Sequence, residues 1–215
     1  MRLHEGEPTR TAGVPLAAAR AALVALHGRG AGAADILGLA LAELAVDGVA
    51  LLAPEARDAS WYPQSFLAPF EANEPWLGSA LARVDEVVAS CAAAGIGSER
   101  VVLFGFSQGA CLACEYVARR PRRYGAVVAA TGGRIGPPGT DFAAAGDLAG
   151  TPVLLAAGDP DPHVPWRRVE ETEASLRASG AEVETVRAAG FPHGVHPRAI
   201  EFARRTIREL LELDG

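Results

Sequence analysis

Val101-Val-Leu-Phe-Gly-Phe-Ser-Gln-Gly-Ala110 is an apolar β-type run that breaks at Gly105-Phe106-Ser107-Gln108-Gly109 and continues into a helical pattern. This is G-x-S-x-G between a strand and a helix, the context its chemistry requires. A serine on so tight a turn needs small neighbours. Glycine at 105 and 109 removes side chains that would clash and leaves the Ser107 hydroxyl exposed above the strand end. The helix start also directs backbone NH groups toward a reacting carbon.

Outward from this turn, short apolar runs alternate with helical patterns. Strands are expected at 22–26, 49–53, 101–104, 126–130, 153–157 and 183–187. Helices are expected at 34–46, 76–94, 108–120, 165–179 and 197–213. Most strand runs are continuous rather than alternating, which suits strands covered on both faces. The pattern predicts an α/β fold with a mainly parallel sheet. In the last helix Ile200, Ala203, Ile207, Leu210 and Leu211 recur at three- and four-residue steps, so one face packs on the sheet. Thr9 to Val14 is read as an antiparallel edge strand.

The chain has 215 residues, the length of one domain, and no composition break divides 1–215 into two. Its 26 acidic residues outnumber 20 basic ones for a net charge of -6, which removes the usual attraction to nucleic acid or anionic lipid. All of the basic residues are arginine. The absence of lysine excludes Schiff-base chemistry, a P-loop lysine and a Ser-Lys dyad. Cys91, Cys111 and Cys114 make no even-numbered framework, and the polar start carries no secretory signal, so a cytoplasmic protein with reduced thiols is expected. No apolar run reaches the roughly 18 residues of a membrane span, and no stable membrane association is expected.

A serine hydroxyl needs a base, and the base needs a carboxylate to hold its ring. On a strand–turn–helix of this kind the partners follow in the order serine, acid, histidine. His4 and His27 precede Ser107 and drop out. Gly158-Asp159-Pro160-Asp161-Pro162-His163 follows one strand, and Gly190-Phe-Pro-His193-Gly-Val-His196-Pro197 follows the next. Asp161 is preferred because Asp159 directly follows the strand glycine and is expected to shape the turn. His193 is preferred because His196 precedes Pro197 at a helix start, where capping or packing is expected. His163 shares a loop with Asp161 and is not expected to reach the serine.

The turn His27-Gly28-Arg29-Gly30 would bring backbone close to a ligand and supply one NH to an oxyanion hole, with the NH of Gln108 as the other. A dinucleotide loop fits less well: Ala33 stands where the third glycine belongs, and Ala53-Pro54 supplies no acid at the end of the next strand. Cys111-x-x-Cys114 lies within a helix and reads as core packing. His163, His193 and His196 suit a triad better than a metal site, and no metal or cofactor is expected. The connection 54–75 is long and carries Trp61, Tyr62, Phe66 and Phe70. It either packs its own aromatic cluster or walls a substrate pocket with Trp61, Tyr62 and Phe66.

Leu26-His-Gly-Arg-Gly30, Gly105-Phe-Ser-Gln-Gly-Ala110, Asp161-Pro-His-Val-Pro165 and Pro192-His-Gly-Val-His-Pro197 together resemble the phospholipase/carboxylesterase family of the α/β-hydrolase superfamily. The resemblance runs from about residue 20 to the end. It implies Ser107 as nucleophile, Asp161 as acid, His193 as base and the backbone NH groups of Arg29 and Gln108 as the oxyanion hole. The 61–69 segment looks like the small bacterial esterase branch. Thioesterases of the family typically carry an apolar residue where Arg29 stands. With about 20 residues from Thr131 to Gly150, no cap domain is implied. The expectation is a serine carboxylesterase, monomer or homodimer, acting on a small-molecule ester of short-to-medium chain. Lysophospholipase or acyl-thioester hydrolysis on the same triad, and a non-catalytic receptor of the same fold, are the alternatives.

Overall fold

The computed structural model describes residues 3–212. Its strands are β1 (Thr9–Gly13), β2 (Ala21–Leu26), β3 (Val49–Pro54), β4 (Val101–Phe106), β5 (Ala126–Ala130), β6 (Pro152–Asp159) and β7 (Glu182–Ala189). Between them run α1 (Ala33–Leu44), α2 (Phe70–Asn73), α3 (Trp76–Ala93), α4 (Gln108–Arg119) and α5 (Trp166–Ala178), and α6 (Pro197–Glu212) follows β7. Leu213, the last residue of the expected final helix, lies outside the described residues. All seven strands share one sheet in the order β1-β3-β2-β4-β5-β6-β7, parallel except for β1.

The continuous apolar runs are explained by what covers them. Along β2, Ala22, Val24 and Leu26 point into one core layer, and Ala21, Leu23 and Ala25 into the other. The first layer is closed by α3, α4 and α5 through Leu77, Val84, Leu112, Val169 and Leu176. The second is closed by α1 and α6 through Ile36, Leu37, Ile200, Ala203 and Ile207. Two covered faces leave no position on β2 for a polar residue. Leu211 packs partly buried on the second layer, so α6 presents the face its periodicity predicts. At the edge, Thr9–Gly13 pairs antiparallel with β3, as expected of that segment.

Strand order places the site. β3 and β4 lie on opposite sides of β2, so the chain reverses its direction of travel across the sheet between β2 and β4. Such a switch point opens a crevice at the carboxyl ends of the strands, where parallel sheets bind ligands. The loops after β2 and β4 carry His27-Gly28-Arg29-Gly30 and Ser107. The connection between β5 and β6 contains no helix, consistent with the absence of a cap. Among the described residues no helix is long and apolar enough to cross a membrane.

Candidate active site

Ser107 is the residue between β4 and α4, held at φ 53 and ψ -116. A non-glycine residue there is strained by about 1–3 kcal/mol and persists only when its surroundings fix it. The glycines make that fixing contact. A Cβ on Gly105 would lie 2.3 Å from the carbonyl oxygen of Gly109, and one on Gly109 would lie 2.2 Å from that of Leu26. Helix α4 therefore backs directly onto the ends of β2 and β4. The Ser107 NH donates to the Ala130 carbonyl at 3.0 Å, and its own carbonyl accepts from Cys111 NH at 3.0 Å.

From this turn the Ser107 Oγ reaches Nε2 of His193 at 2.9 Å, and Nδ1 of His193 reaches Oδ2 of Asp161 at 2.9 Å. An ionised carboxylate only accepts, so Nδ1 carries the ring proton and Nε2 is left to accept from the serine hydroxyl. Oδ1 of Asp161 accepts from the backbone NH groups of His163 at 2.9 Å and Val164 at 2.8 Å. Burial pushes the Asp161 carboxyl upward, but those two NH groups and His193 outweigh it and hold it below its ordinary value. The His193 ring lies between Phe106, centroid 5.3 Å away, and His163, edge-on at 4.9 Å. Its loop is tethered where Thr131 Oγ1 donates to the Gly194 carbonyl at 2.8 Å.

The rejected candidates sit elsewhere. Asp159 accepts from Arg187 Nε at 2.6 Å across β6 and β7. His196 begins α6: its Nδ1 accepts from Arg198 NH at 3.2 Å, and its carbonyl from Ala199 NH at 2.8 Å. His163 does not bond to the serine, but it lines the cleft beside His193, a place not anticipated from the sequence.

The serine opens into a cleft of about 580 Å³ whose walls include Arg29, Tyr62, Phe66, Gln108, Cys111 and His163. A depression of about 640 Å³ at the β7 edge, between Arg177, Glu184 and Arg205, contains no nucleophile–base pair. Tyr62 and Phe66 thus stand where a pocket wall was expected. Trp61 does not, and this corrects the expectation. It is fully buried behind the wall, its indole NH donating to the His27 carbonyl at 2.9 Å and its backbone NH to Gln108 Oε1 at 2.9 Å. An indole with one buried polar atom satisfied and its ring in the core belongs to the scaffold. The long connection is therefore both an aromatic cluster and a wall.

His27 and His4 support that cluster from below. His27 accepts from Ala56 NH at 3.1 Å through Nε2 and donates to its neighbour's carbonyl, Gly28, at 2.8 Å through Nδ1. His4 accepts from Arg57 NH at 3.1 Å and donates to the Trp61 carbonyl at 3.0 Å. Burial lowers both imidazoles from their ordinary value, partly countered by these carbonyls. Cys114 is buried in the core as expected, whereas Cys111 also reaches the cleft. One helical turn separates Cys111 from Ser107, a spacing that puts it beneath the serine on the same helix face. Burial pushes its thiol up to about 11, so it is uncharged. Gln108 is the first residue of α4, so its NH has no intrahelical partner, and Arg29 lies on the facing loop.

A parallel sheet with a strained serine at its switch point, bonded to a histidine and through it to an aspartate, defines an α/β-hydrolase-fold protein. The phospholipase/carboxylesterase family model matches residues 14–211, and the chain belongs to that family. The crystal structure of a phospholipase/carboxylesterase from Dyadobacter fermentans DSM 18053 superposes with a TM-score of 0.89 at 45% identity, covering 94% of this chain and 97% of that one. NocK of Nocardia uniformis subsp. tsuyamanensis, named as an esterase, is 32% identical over 94% of this chain, which spans 59% of NocK's length. A carboxylesterase from Mesorhizobium loti, at 20% identity and TM-score 0.70 over 94% of each chain, shares the fold.

Proposed function

We propose that this protein is a serine carboxylesterase that hydrolyses short-to-medium-chain esters of small molecules through an acyl-enzyme. The observation that carries this reading is the continuous line from Ser107 Oγ through His193 to Asp161, each link 2.9 Å, at the floor of an open cleft. His193 takes the Ser107 proton as Oγ attacks the ester carbonyl. The fixed Asp161 carboxylate keeps the proton on Nδ1 in the resting state and stabilises the imidazolium that forms. The backbone NH groups of Arg29 and Gln108 receive the developing oxyanion, helped by the positive end of α4.

Collapse of the tetrahedral intermediate breaks the bond to the alcohol, which leaves with the proton from His193. Water, deprotonated in turn by His193, attacks the acyl-Ser107 carbonyl; the acid departs and Ser107 recovers its proton. The first of these transfers, from Ser107 Oγ to His193 Nε2, spans a contact of 2.9 Å. What supports the short-to-medium preference is the wall: Tyr62 and Phe66 line a cleft with no helical cap to extend it.

Hydrolysis of a p-nitrophenyl ester series from acetate to palmitate, with Ser107→Ala beside the parent, tests the reading. Short-chain turnover that falls by about 10⁴–10⁶ in the variant is expected. Residual activity within tenfold of the parent, with a normal melting curve, overturns the serine assignment. A peak at the longest chains moves the substrate to lysophospholipid or acyl-thioester.

A further inference from the structure

The two residues assigned to the oxyanion hole are joined by more than their backbones. Their side chains bind the same short segment, 60–64. The Arg29 guanidinium donates through Nη2 to the carbonyls of Tyr62 at 2.9 Å and Gln64 at 2.5 Å, and through Nη1 to that of Pro63 at 2.6 Å. From the other side of the crevice Gln108 Nε2 donates to the Tyr62 carbonyl at 2.8 Å, while its Oε1 accepts from Trp61 NH at 2.9 Å. The Tyr62 carbonyl takes a third bond from Ser60 Oγ at 2.9 Å. One carbonyl oxygen is therefore the meeting point of the loop after β2 and the start of α4.

We propose that segment 60–64 is the template that sets the spacing of the two oxyanion NH groups, with the Arg29 and Gln108 side chains as positioning residues. The inference rests on the esterase reading above. Arg29 lies between Gly28 and Gly30, the latter at φ +79, so its own backbone has little intrinsic stiffness. Among the described residues no carboxylate pairs with its guanidinium; its fork is given to three successive carbonyls instead. A rigid planar donor set suits that task, and a lysine ammonium, a single point of charge, does not. The Gln108 amide is buried and both of its ends are bonded to the segment, so α4 cannot shift along β4 without breaking them.

An oxyanion exists only after attack, so a misplaced hole lowers kcat and leaves KM nearly unchanged. A displacement near 1 Å costs on the order of 100-fold. Arg29→Ala is accordingly expected to lose about 10- to 100-fold in kcat at similar KM. Its affinity for a trifluoromethyl ketone, which adds Ser107 Oγ at its carbonyl carbon to give a hemiketal oxyanion in the hole, should weaken in parallel. Arg29→Lys should recover only part of the loss. Millimolar guanidinium added to Arg29→Ala should restore kcat, and urea at the same concentration should not.

Arg29→Ala with kcat within twofold of the parent overturns the proposal, as does a loss confined to KM. If Arg29→Ala melts far below the parent, Arg29→Lys and the Gln108→Met variant carry the test by the same comparison of kcat with trifluoromethyl ketone affinity. A parent that hydrolyses no ester overturns both this inference and the esterase reading; an active parent with indifferent variants overturns this inference alone.

Discussion

Gly109→Ala is expected to destabilise the protein, against the usual direction of a glycine-to-alanine change in a helix. Alanine normally gains up to about 1 kcal/mol over glycine there. At 109 the new Cβ would lie 2.2 Å from the Leu26 carbonyl oxygen and 2.7 Å from that of His27. Those atoms are backbone at the end of a central strand, so no rotamer change relieves the clash. Reaching ordinary contact requires α4 to retreat by roughly 1 Å, and overpacking of this kind costs about 1–3 kcal/mol. Taking the upper end and subtracting the helix gain leaves about 2 kcal/mol. For a chain of this size that lowers Tm by about 4–8 °C. Gly38→Ala is the control. Gly38 is an exposed residue of α1 with nothing within 4 Å of its new Cβ, and the same substitution should raise Tm by about 1–4 °C. Thermal unfolding followed by circular dichroism reads both. A Gly109→Ala protein that melts at or above the parent would show that α4 is free to back away from β2. The close approach would then not be what fixes Ser107.

Trp61 and Phe66 should separate cleanly: Trp61→Ala empties a core site and costs about 3–5 kcal/mol, while Phe66→Ala shifts the ester optimum toward longer chains. A changed chain-length profile in Trp61→Ala with an unaltered melting temperature would return Trp61 to the pocket wall. Acidification should destabilise the fold in two stages. His4 and His27 are lowered, chiefly by burial, so the unfolded chain takes up their protons first. Their contribution is complete above about pH 6.5 and is lost as pH falls through the folded values. Asp161 is also lowered, so its contribution is lost only below the usual carboxylate range. Melting temperatures between pH 7 and 5 should decline less in His27→Gln than in the parent; parallel curves would refute the first stage.

Much of this was legible because two-sided burial writes itself as uninterrupted apolar runs, as in Ala21–Leu26, and because the elbow needs glycine at fixed offsets. Strand ends were harder. β6 continues through Gly158-Asp159 and β7 through Ala188-Ala189 because those residues pair across the ladder, and backbone pairing leaves no mark in hydropathy. β4 likewise runs past Gly105 to Phe106. The hydrogen-bonded line from Ser107 to His193 and Asp161 was readable from loop position, since Asp161 and His193 lie on the loops after two successive strands. Trp61 was not: nothing in an aromatic loop tells which ring faces inward. Its direction is set by the His27 carbonyl and the Gln108 amide, each distant in sequence. Cys111 could have been found from its four-residue spacing to Ser107. In sequence His163 reads as a candidate base or metal ligand, although a residue two positions from Asp161 is well placed to border His193.

The strain at Ser107 also explains why three glycines from two stretches of chain stand around it. Gly105 and Gly109 let α4 close on β4 and β2. Gly132 does the same from the end of β5, where an added Cβ would lie 2.5 Å from the Ala110 side chain. The Ala130 carbonyl holds the Ser107 NH, so β5 joins β2 and β4 in setting one residue's backbone. Relaxing φ at Ser107 would require α4 to part from all three strands, losing core contacts worth more than the about 1–3 kcal/mol it would release. The serine is thus kept strained by packing that the sheet needs in any case. Its hydroxyl stays aimed at His193 Nε2, so in the proposed mechanism no reorganisation of the nucleophile has to be added to the barrier.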